Sequence, residues 1–396
     1  MQMFASPAMV FLHTSDWQLG KPFAGIEDQE KRSLVRQERF AVIDRIGAVA
    51  REHGAEFVVV AGDLFDSPSV TKSTVSAACA AIGRLGVPVF VIPGNHDHGG
   101  AGSVWEQDFF RREQGQLAPN LQVLLAPSPV ELENAVIFPC PLAHRHENAD
   151  VTGWLRSPEP FAGDFGDRPR IVLAHGSVQT FGATAEDEDP ADSSVNLIDL
   201  SQIPADMFDY IALGDWHGAR QINERAWYAG TPEFDRFPKG EDHAPGQVLI
   251  VAATRGQVPA VHPVATARFK WHRHAFVFMD DASLANLERQ VDELIGNRAN
   301  EDLLRLELAG SLGIEATTRL EQRIESWRAR LLRLKLANRA VVAPSPEEME
   351  ALVRRPADPL IARVASALVA RATTGGDDAA VASLALRELH AACRTG

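Results

Sequence analysis

Five short clusters in the chain bring carboxylate, amide and imidazole side chains together, most of them beside glycine: Asp16-Trp17-Gln18, Gly62-Asp63-Leu64-Phe65-Asp66, Gly94-Asn95-His96-Asp97, His175-Gly176 and Gly214-Asp215-Trp216-His217. These side chains offer the oxygen and nitrogen donors that hold divalent cations, which need several of them converging within about 2.0 to 2.3 Å. No cluster carries enough donors to close a site alone, so the chemistry depends on a fold that gathers them. Glycines precede Asp63, Asn95 and Asp215, which lets the backbone turn sharply as it leaves regular structure.

Each cluster directly follows a short apolar run rich in Val, Ile and Phe, and such runs read as buried strands. They are Met9 to His13, Phe57 to Ala61, Val87 to Ile92, Leu121 to Leu125, Ala135 to Phe138, Ile171 to Ala174, Tyr210 to Leu213, Trp227 to Ala229 and Val248 to Ala252. Glu30 to His53 carries Leu34, Phe40, Ile43, Ile46 and Val49 at roughly helical spacing, and Thr71 to Leu85 behaves similarly. Strands alternating with helices predict an α/β core, and the closer spacing of the later strands predicts a second, mixed sheet. A four-layer α-β-β-α sandwich buries all of them, and strand ends are where such sheets collect ligands. Thr180 to Asn196, acidic and poor in apolar residues, reads as a surface loop.

After Thr266 the rhythm changes. KWHRHAFVFM, Ala282 to Ile295, Leu303 to Leu308, Ile314 to Leu331 and Leu332 to Leu336 predict a small β-α-β-α-β domain over residues 267–343. Residues 344–396 carry only helical segments, broken by Pro356, Pro359 and Gly375-Gly376.

The chain is 45% hydrophobic and 23% charged, an ordinary globular composition that excludes disorder as the default. Cys79, Cys140 and Cys393 lie far apart with no CxxC pair, so neither a disulfide framework nor a thiolate zinc site is indicated, and a reducing cytoplasm fits. The N-terminus lacks a cationic start, and no apolar run approaches the roughly 20 residues that a membrane helix needs, so a soluble, unexported protein with no membrane partner is expected. The net charge of −14 runs against the basic surplus usual in nucleic-acid binders, although bound divalent cations would make the local field positive.

The five clusters, in this order and each after a strand, resemble the signature of calcineurin-like metallophosphoesterases. HTSDWQLG, GDLFD and PGNHD, with a small domain and helices behind them, look most like the SbcD branch of DNA nucleases; the motif resemblance spans Phe11 to Arg236. The resemblance implies that Asp16, Asp63 and His217 hold one metal, with Asp63 bridging to a second held by Asn95 and His175. It also implies that His96 contacts the scissile phosphate and assists the leaving oxygen, with Asp97 orienting its ring. Water activated by the pair of cations would attack phosphorus in line. Two positions depart from the family pattern: Gln18 replaces the histidine of Asp-x-His, and Asp215 the first histidine of Gly-His-x-His. Both are still oxygen donors, so both are expected as metal ligands, and harder donors favour manganese, or magnesium, over zinc or iron.

Other residues carry weaker expectations. His98, Thr231, Arg268 and Lys270 are candidates for substrate contact, the last two within RFKWHRH, whose mix of cations and aromatics suits bases and phosphates. His13 is expected to be packed, Asp66 to support the site from behind, and His144 and His146 to be surface residues. The resemblance further implies a homodimer whose small domain caps the active site, and a partner, an SbcC-like coiled-coil ATPase, docked on Pro344 to Arg394. The apolar residues Met349, Leu352, Leu360, Ile361, Val364, Leu368, Val381, Leu384, Leu386 and Leu389 in that segment suit helices that bury a face. The function expected is thus a manganese-dependent DNA nuclease, exonucleolytic with endonuclease activity as a further expectation. Two alternatives stand beside it: a phosphodiesterase for nucleotides or other small esters, and a DNA-end or ATPase-binding scaffold with a silent site.

Overall fold

Apolar runs too short for helices and flanked by glycine and proline pair into sheets here, because only a sheet satisfies their backbone groups once they are buried. The computed structural model describes residues 8–178, 195–237, 244–342, 346–356, 358–373 and 377–394. The chain divides into two units at Phe269 and Lys270, slightly beyond the change of rhythm after Thr266.

The first unit begins with alternating strands and helices: β1 (Met9–Thr14), α1 (Gln29–Glu52), β2 (Val58–Val60), α2 (Lys72–Gly83), β3 (Val89–Val91), α3 (Asp108–Leu117) and β4 (Leu121–Val123). Short strands follow: β5 (Val130–Glu131), β6 (Val136–Cys140), β7 (Arg170–His175), β8 (Ser177–Val178), β9 (Leu197–Ile198), β10 (Tyr210–Gly214), β11 (Arg220–Gln221) and β12 (Ala226–Tyr228), then β13 (Gln247–Ala253) and β14 (Ala260–Ala265). The first sheet runs β14-β13-β1-β2-β3-β4 and the second β11-β12-β10-β7-β6-β5, while β8 and β9 form a separate pair. In the first sheet β1 to β4 are parallel, as are β12, β10, β7 and β6 in the second; antiparallel strands close one edge of the first sheet, at β13 and β14, and both edges of the second, at β11 and β5.

Helix α1 starts where the Asp28 side chain accepts from the amides of Glu30 and Lys31, and it turns Val42, Ile43, Ile46 and Val49 onto the first sheet. Leu34, an expected core position, is largely exposed, and its neighbour Val35 faces inward instead. Between the sheets Phe11 stacks on Phe57 at 5.2 Å and meets Tyr210 edge-on at 5.5 Å. Each such side chain withdrawn from water contributes about 1.5–3 kcal/mol. The outer face of the second sheet is covered by Trp154, Phe161, Phe165 and Phe208 around Phe138. Among the described residues this fourth layer is built of short three-ten turns rather than α-helices, since Pro141, Pro158, Pro160 and Pro169 interrupt the segment that forms it. The acidic stretch Thr180 to Asn196 lies outside the described residues except for its last two.

The second unit comprises β15 (Lys270–Phe278), α4 (Ser283–Ile295), β16 (Asp302–Leu312), α5 (Ile314–Arg330), β17 (Arg333–Asn338), β18 (Val341–Val342), α6 (Pro346–Val353), α7 (Pro359–Ala372) and α8 (Asp377–Arg394). Strands β15, β16 and β17 are parallel, and α4 and α5 bury Leu287, Val291, Leu320 and Trp327 with them. The last three helices share a small core around Ile314, Leu352, Ala365 and Leu386. Leu360, Val364, Val381 and Leu384 remain exposed, Leu360 at 72%. Among the described residues no helix is long and apolar enough to cross a membrane.

Candidate metal centre

Parallel register decides where the polar clusters go. Thr14 pairs with Val60 and Val60 with Val91, so β1, β2 and β3 end together; His175 pairs with Gly214 at the matching end of the second sheet. The loops leaving β1 and β2 then continue as a ladder of their own, with Asp16 N–H donating to Gly62 O at 3.1 Å and Gln18 N–H to Asp63 O at 2.9 Å. Keeping that ladder forces Asp16 (φ 54°), Gln18 (φ 43°) and Asp63 (φ 54°) into left-handed backbone, as it is at Asp215 (φ 102°). Strain of this kind costs on the order of 1–3 kcal/mol per residue, and the surrounding bonds must hold it. At Gly94 an added Cβ would overlap the Asp63 carboxylate and amide, so the β3 loop approaches Asp63 only because that residue is glycine.

The side chains converge. Asp16, Asp63 and His175, all buried, offer ligand atoms within 4.8 Å of one another. His175 Nδ1 donates to Ala61 O at 2.8 Å, which turns Nε2 inward. Around that nitrogen lie Asn95 Oδ1 at 3.1 Å, Asp63 Oδ1 at 3.6 Å and Asp215 Oδ1 at 3.9 Å. Three oxygens gathered about one imidazole nitrogen repel one another unless a positive charge sits among them, which suits a divalent cation. On the other side His217 Nε2 is 3.9 Å from Asp16 Oδ1, and its Nδ1 lies 3.1 Å from Asp235 Oδ1, close but not aligned as a hydrogen bond. Ser177 donates to Asp215 Oδ2 at 2.8 Å and Ser15 to Asp16 Oδ2 at 2.6 Å, fixing both carboxylates. The donor set fits divalent cations.

Electrostatics follow the same grouping. Burial disfavours protonation of His175, but Asp63, Asp16 and Asp215 outweigh it and raise its pKa to about 9. His96 is also raised: burial opposes, while Asp63 and the Asp66 carbonyl favour the imidazolium. Burial pushes Asp16 up, whereas at Asp63 the neighbouring His175 and His96 overcome burial and hold the carboxylate ionised.

Four expectations need correcting. Gln18 is buried beside His217, but its Oε1 accepts from Lys21 Nζ at 2.6 Å, and it presents Nε2, a donor, 3.5 Å from His217 Nε2. Gln18 thus has one lone pair of its oxygen taken by Lys21 and its NH2 group turned toward His217. Asp97 does not orient the His96 ring; His96 Nδ1 meets the Asp66 carbonyl at 2.9 Å. The Asp97 carboxylate instead accepts from Gly94 N at 2.8 Å and Phe65 N at 3.0 Å, tying the β2 and β3 loops together, and burial, with Asp63, raises it to about 7. Thr231 is fully buried, donating to Glu233 O and accepting from Arg39, so it has no surface to offer a substrate. In RFKWHRH, Arg268 and Lys270 are exposed, but Phe269 and Trp271 are buried, and the half-buried His272 and His274 are bound to Asp302 and Gln290, so the large aromatic rings are not presented for stacking.

The remaining positions are plain. His96 is partly exposed, with Nε2 4.0 Å from Asp63 Oδ2 and its amide donating to Asp63 Oδ1 at 2.9 Å. His98 is half-buried, and its Nδ1 has no hydrogen-bond partner among the described residues. His13 is buried against the Tyr210 hydroxyl at 2.9 Å, with burial lowering it to about 3; His144 and His146 are exposed.

Three residues that shape the centre were not singled out in the sequence: Lys21, Asp235 and Arg39. Arg39 of α1 is buried and donates to Asp16 O and Trp17 O, each at 3.0 Å, and to Glu233 O at 2.7 Å, fastening the loop after β1 to the one after β12. A charged pair, Glu38 and Arg39, on the buried face of an otherwise apolar helix was its only signal. Lys21 lies three residues past the Asp16-Trp17-Gln18 cluster and Asp235 well beyond the last one, and nothing local pairs them.

A family model described as calcineurin-like phosphoesterase matches residues 9–245, a span that includes all five clusters. Among solved structures, that of TT1561 of Thermus thermophilus is 12% identical, with a TM-score of 0.40 over 65% of this chain and 99% of that one. A second solved chain is 14% identical, with a TM-score of 0.38 and the same coverage of 65% and 99%.

Proposed function

The chain belongs to the calcineurin-like phosphoesterase family, and from that premise we propose that it is a manganese-dependent two-metal nuclease that hydrolyses phosphodiester bonds in DNA. The observation carrying the metal chemistry is the set of oxygens from Asn95, Asp63 and Asp215 around His175 Nε2. Asp16, Asp63, Asn95, His175, Asp215 and His217 would hold divalent cations, which would supply Lewis-acid charge for a phosphoryl group and acidify water. Every other part is played by the chain itself. His96, its ring fixed by the Asp66 carbonyl and its pKa raised, holds a proton on Nε2 and turns a partly exposed edge outward to a phosphate oxygen or the leaving oxygen. The buried walls exclude bulk water from Asp16, Asp63 and His175.

DNA as substrate is supported by the resemblance of HTSDWQLG, GDLFD and PGNHD to the SbcD branch and by a second unit larger than hydrolysis alone requires. Docking of a coiled-coil ATPase is supported by the exposed Leu360, Val364, Val381 and Leu384 of α7 and α8. The net charge of −14 favours a second reading, a phosphodiesterase for small esters. Purified protein assayed with manganese or magnesium on linear duplex DNA, single-stranded DNA and bis-p-nitrophenyl phosphate separates the two. The nuclease reading expects DNA turnover that falls about 10²- to 10⁴-fold in His96→Ala. Cleavage of the small ester alone would establish the second reading.

A further inference from the structure

Lys21 stands where the centre departs furthest from an imidazole-rich ligand set. Its side chain is 20% exposed, and its ammonium donates to Gln18 Oε1 at 2.6 Å while lying 3.1 Å from Asp235 Oδ2 and 3.7 Å from Asp66 Oδ1. Those three partners come from the loops after β1, β12 and β2 respectively. An ammonium group can only donate, so it takes the one good lone-pair atom of Gln18 and leaves an amide N–H toward His217. The position around Asp16, Asp63 and His217 is then short of a ligand, and Asp235, which could make His217 more basic, is shared with Lys21 and Arg236. The position around Asp63, Asn95, His175 and Asp215 has four donors, and its carboxylates face the imidazoles of His175 and His96 rather than a lysine.

We infer that Lys21 makes the two cation positions unequal. The Asp63–Asn95–His175–Asp215 position fills first, and the Asp16–Asp63–His217 position stays weak until Lys21 releases Gln18, so entry of the second ion is set by free metal concentration. This rests on the two-metal reading above and names a control built into it.

The test is Mn2+ titration of the full-length protein by calorimetry, with electron paramagnetic resonance reporting when two ions become spin-coupled. Wild type is expected to bind in two steps separated by at least about tenfold, the scale on which one nearby charge acts at a partly buried site. Lys21→Met should tighten the weak step about tenfold, bring the coupled signal in at lower Mn2+, and leave the tight step unchanged. Lys21→Arg, which keeps the charge, should retain the wild-type separation, and Gln18→His, which supplies a nitrogen ligand, should tighten the same weak step. Two equal steps in wild type, or no change of the weak step in both Lys21→Met and Gln18→His, would overturn the inference while leaving metal binding intact. Absence of any Mn2+ binding would overturn the two-metal reading itself.

Discussion

At His175 a proton and a metal cation compete for the same lone pair. Asp63, Asp16 and Asp215 raise the ring's pKa to about 9 despite burial, so at pH 7 the proton must leave before a cation can be held. The sign is fixed: Mn2+ affinity should rise with pH until about 9, and binding at pH 7 should release close to one proton. Calorimetry in two buffers of different ionisation enthalpy measures this, and a heat independent of buffer would contradict it. Asp97 makes a second prediction at this scale. Asn in its place keeps one oxygen but points an NH2 group at either Gly94 N or Phe65 N, leaving a buried donor facing a donor. Asp97→Asn should cost about 2–3 kcal/mol in urea denaturation and weaken metal binding through the loops it joins. The residues legible in the sequence, from Asp16 to His217, follow apolar runs whose strands end together, and the family resemblance supplied their expected roles. Gln18 was legible as a neighbour of the centre but not in its orientation, which Lys21 decides, and Lys21 has no periodic signature.

Among the elements, α1 does more than cover a sheet. Its buried Arg39 carries bonds to Asp16, Trp17 and Glu233, and burial lowers its pKa while the carboxylates of Asp235, Glu233, Asp66 and Asp16 favour the charged form. Arg39→Met should lower stability by about 3 kcal/mol and weaken metal binding without touching a ligand, read from denaturation midpoints beside Mn2+ titration; unchanged metal affinity would deny the helix this positioning role. Buried strands and α1 were readable because burial selects their residues, whereas β14, six residues long but mostly exposed, was not. Two-residue edge strands such as β5, β8, β9 and β11 were not, since pairs that short exist only through partners distant in sequence. The three-ten turns over the second sheet escaped for a related reason: aromatic packing on Phe138, rather than helical spacing, holds them in place.

For the whole molecule, the net charge and the proposed DNA substrate pull in opposite directions. A net charge of −14 repels a polyanion at long range, so association with DNA should depend on bound cations and on local positive charge more than on the global field. Raising salt from about 50 to 200 mM should therefore weaken duplex binding by much less than the 10³- to 10⁵-fold loss typical of a basic protein with many phosphate contacts. A fluorescence-anisotropy series in Mn2+ measures this, and a loss of that full size would place the main contacts elsewhere on the surface. The measurement that bears most directly on the account is anomalous diffraction from a crystal soaked in manganese. Two peaks about 3.5–4 Å apart are predicted, one against Asn95 and His175, one against Asp16 and His217, with Asp63 between them. A crystal with no peak at these residues, or with manganese bound only elsewhere, would contradict it.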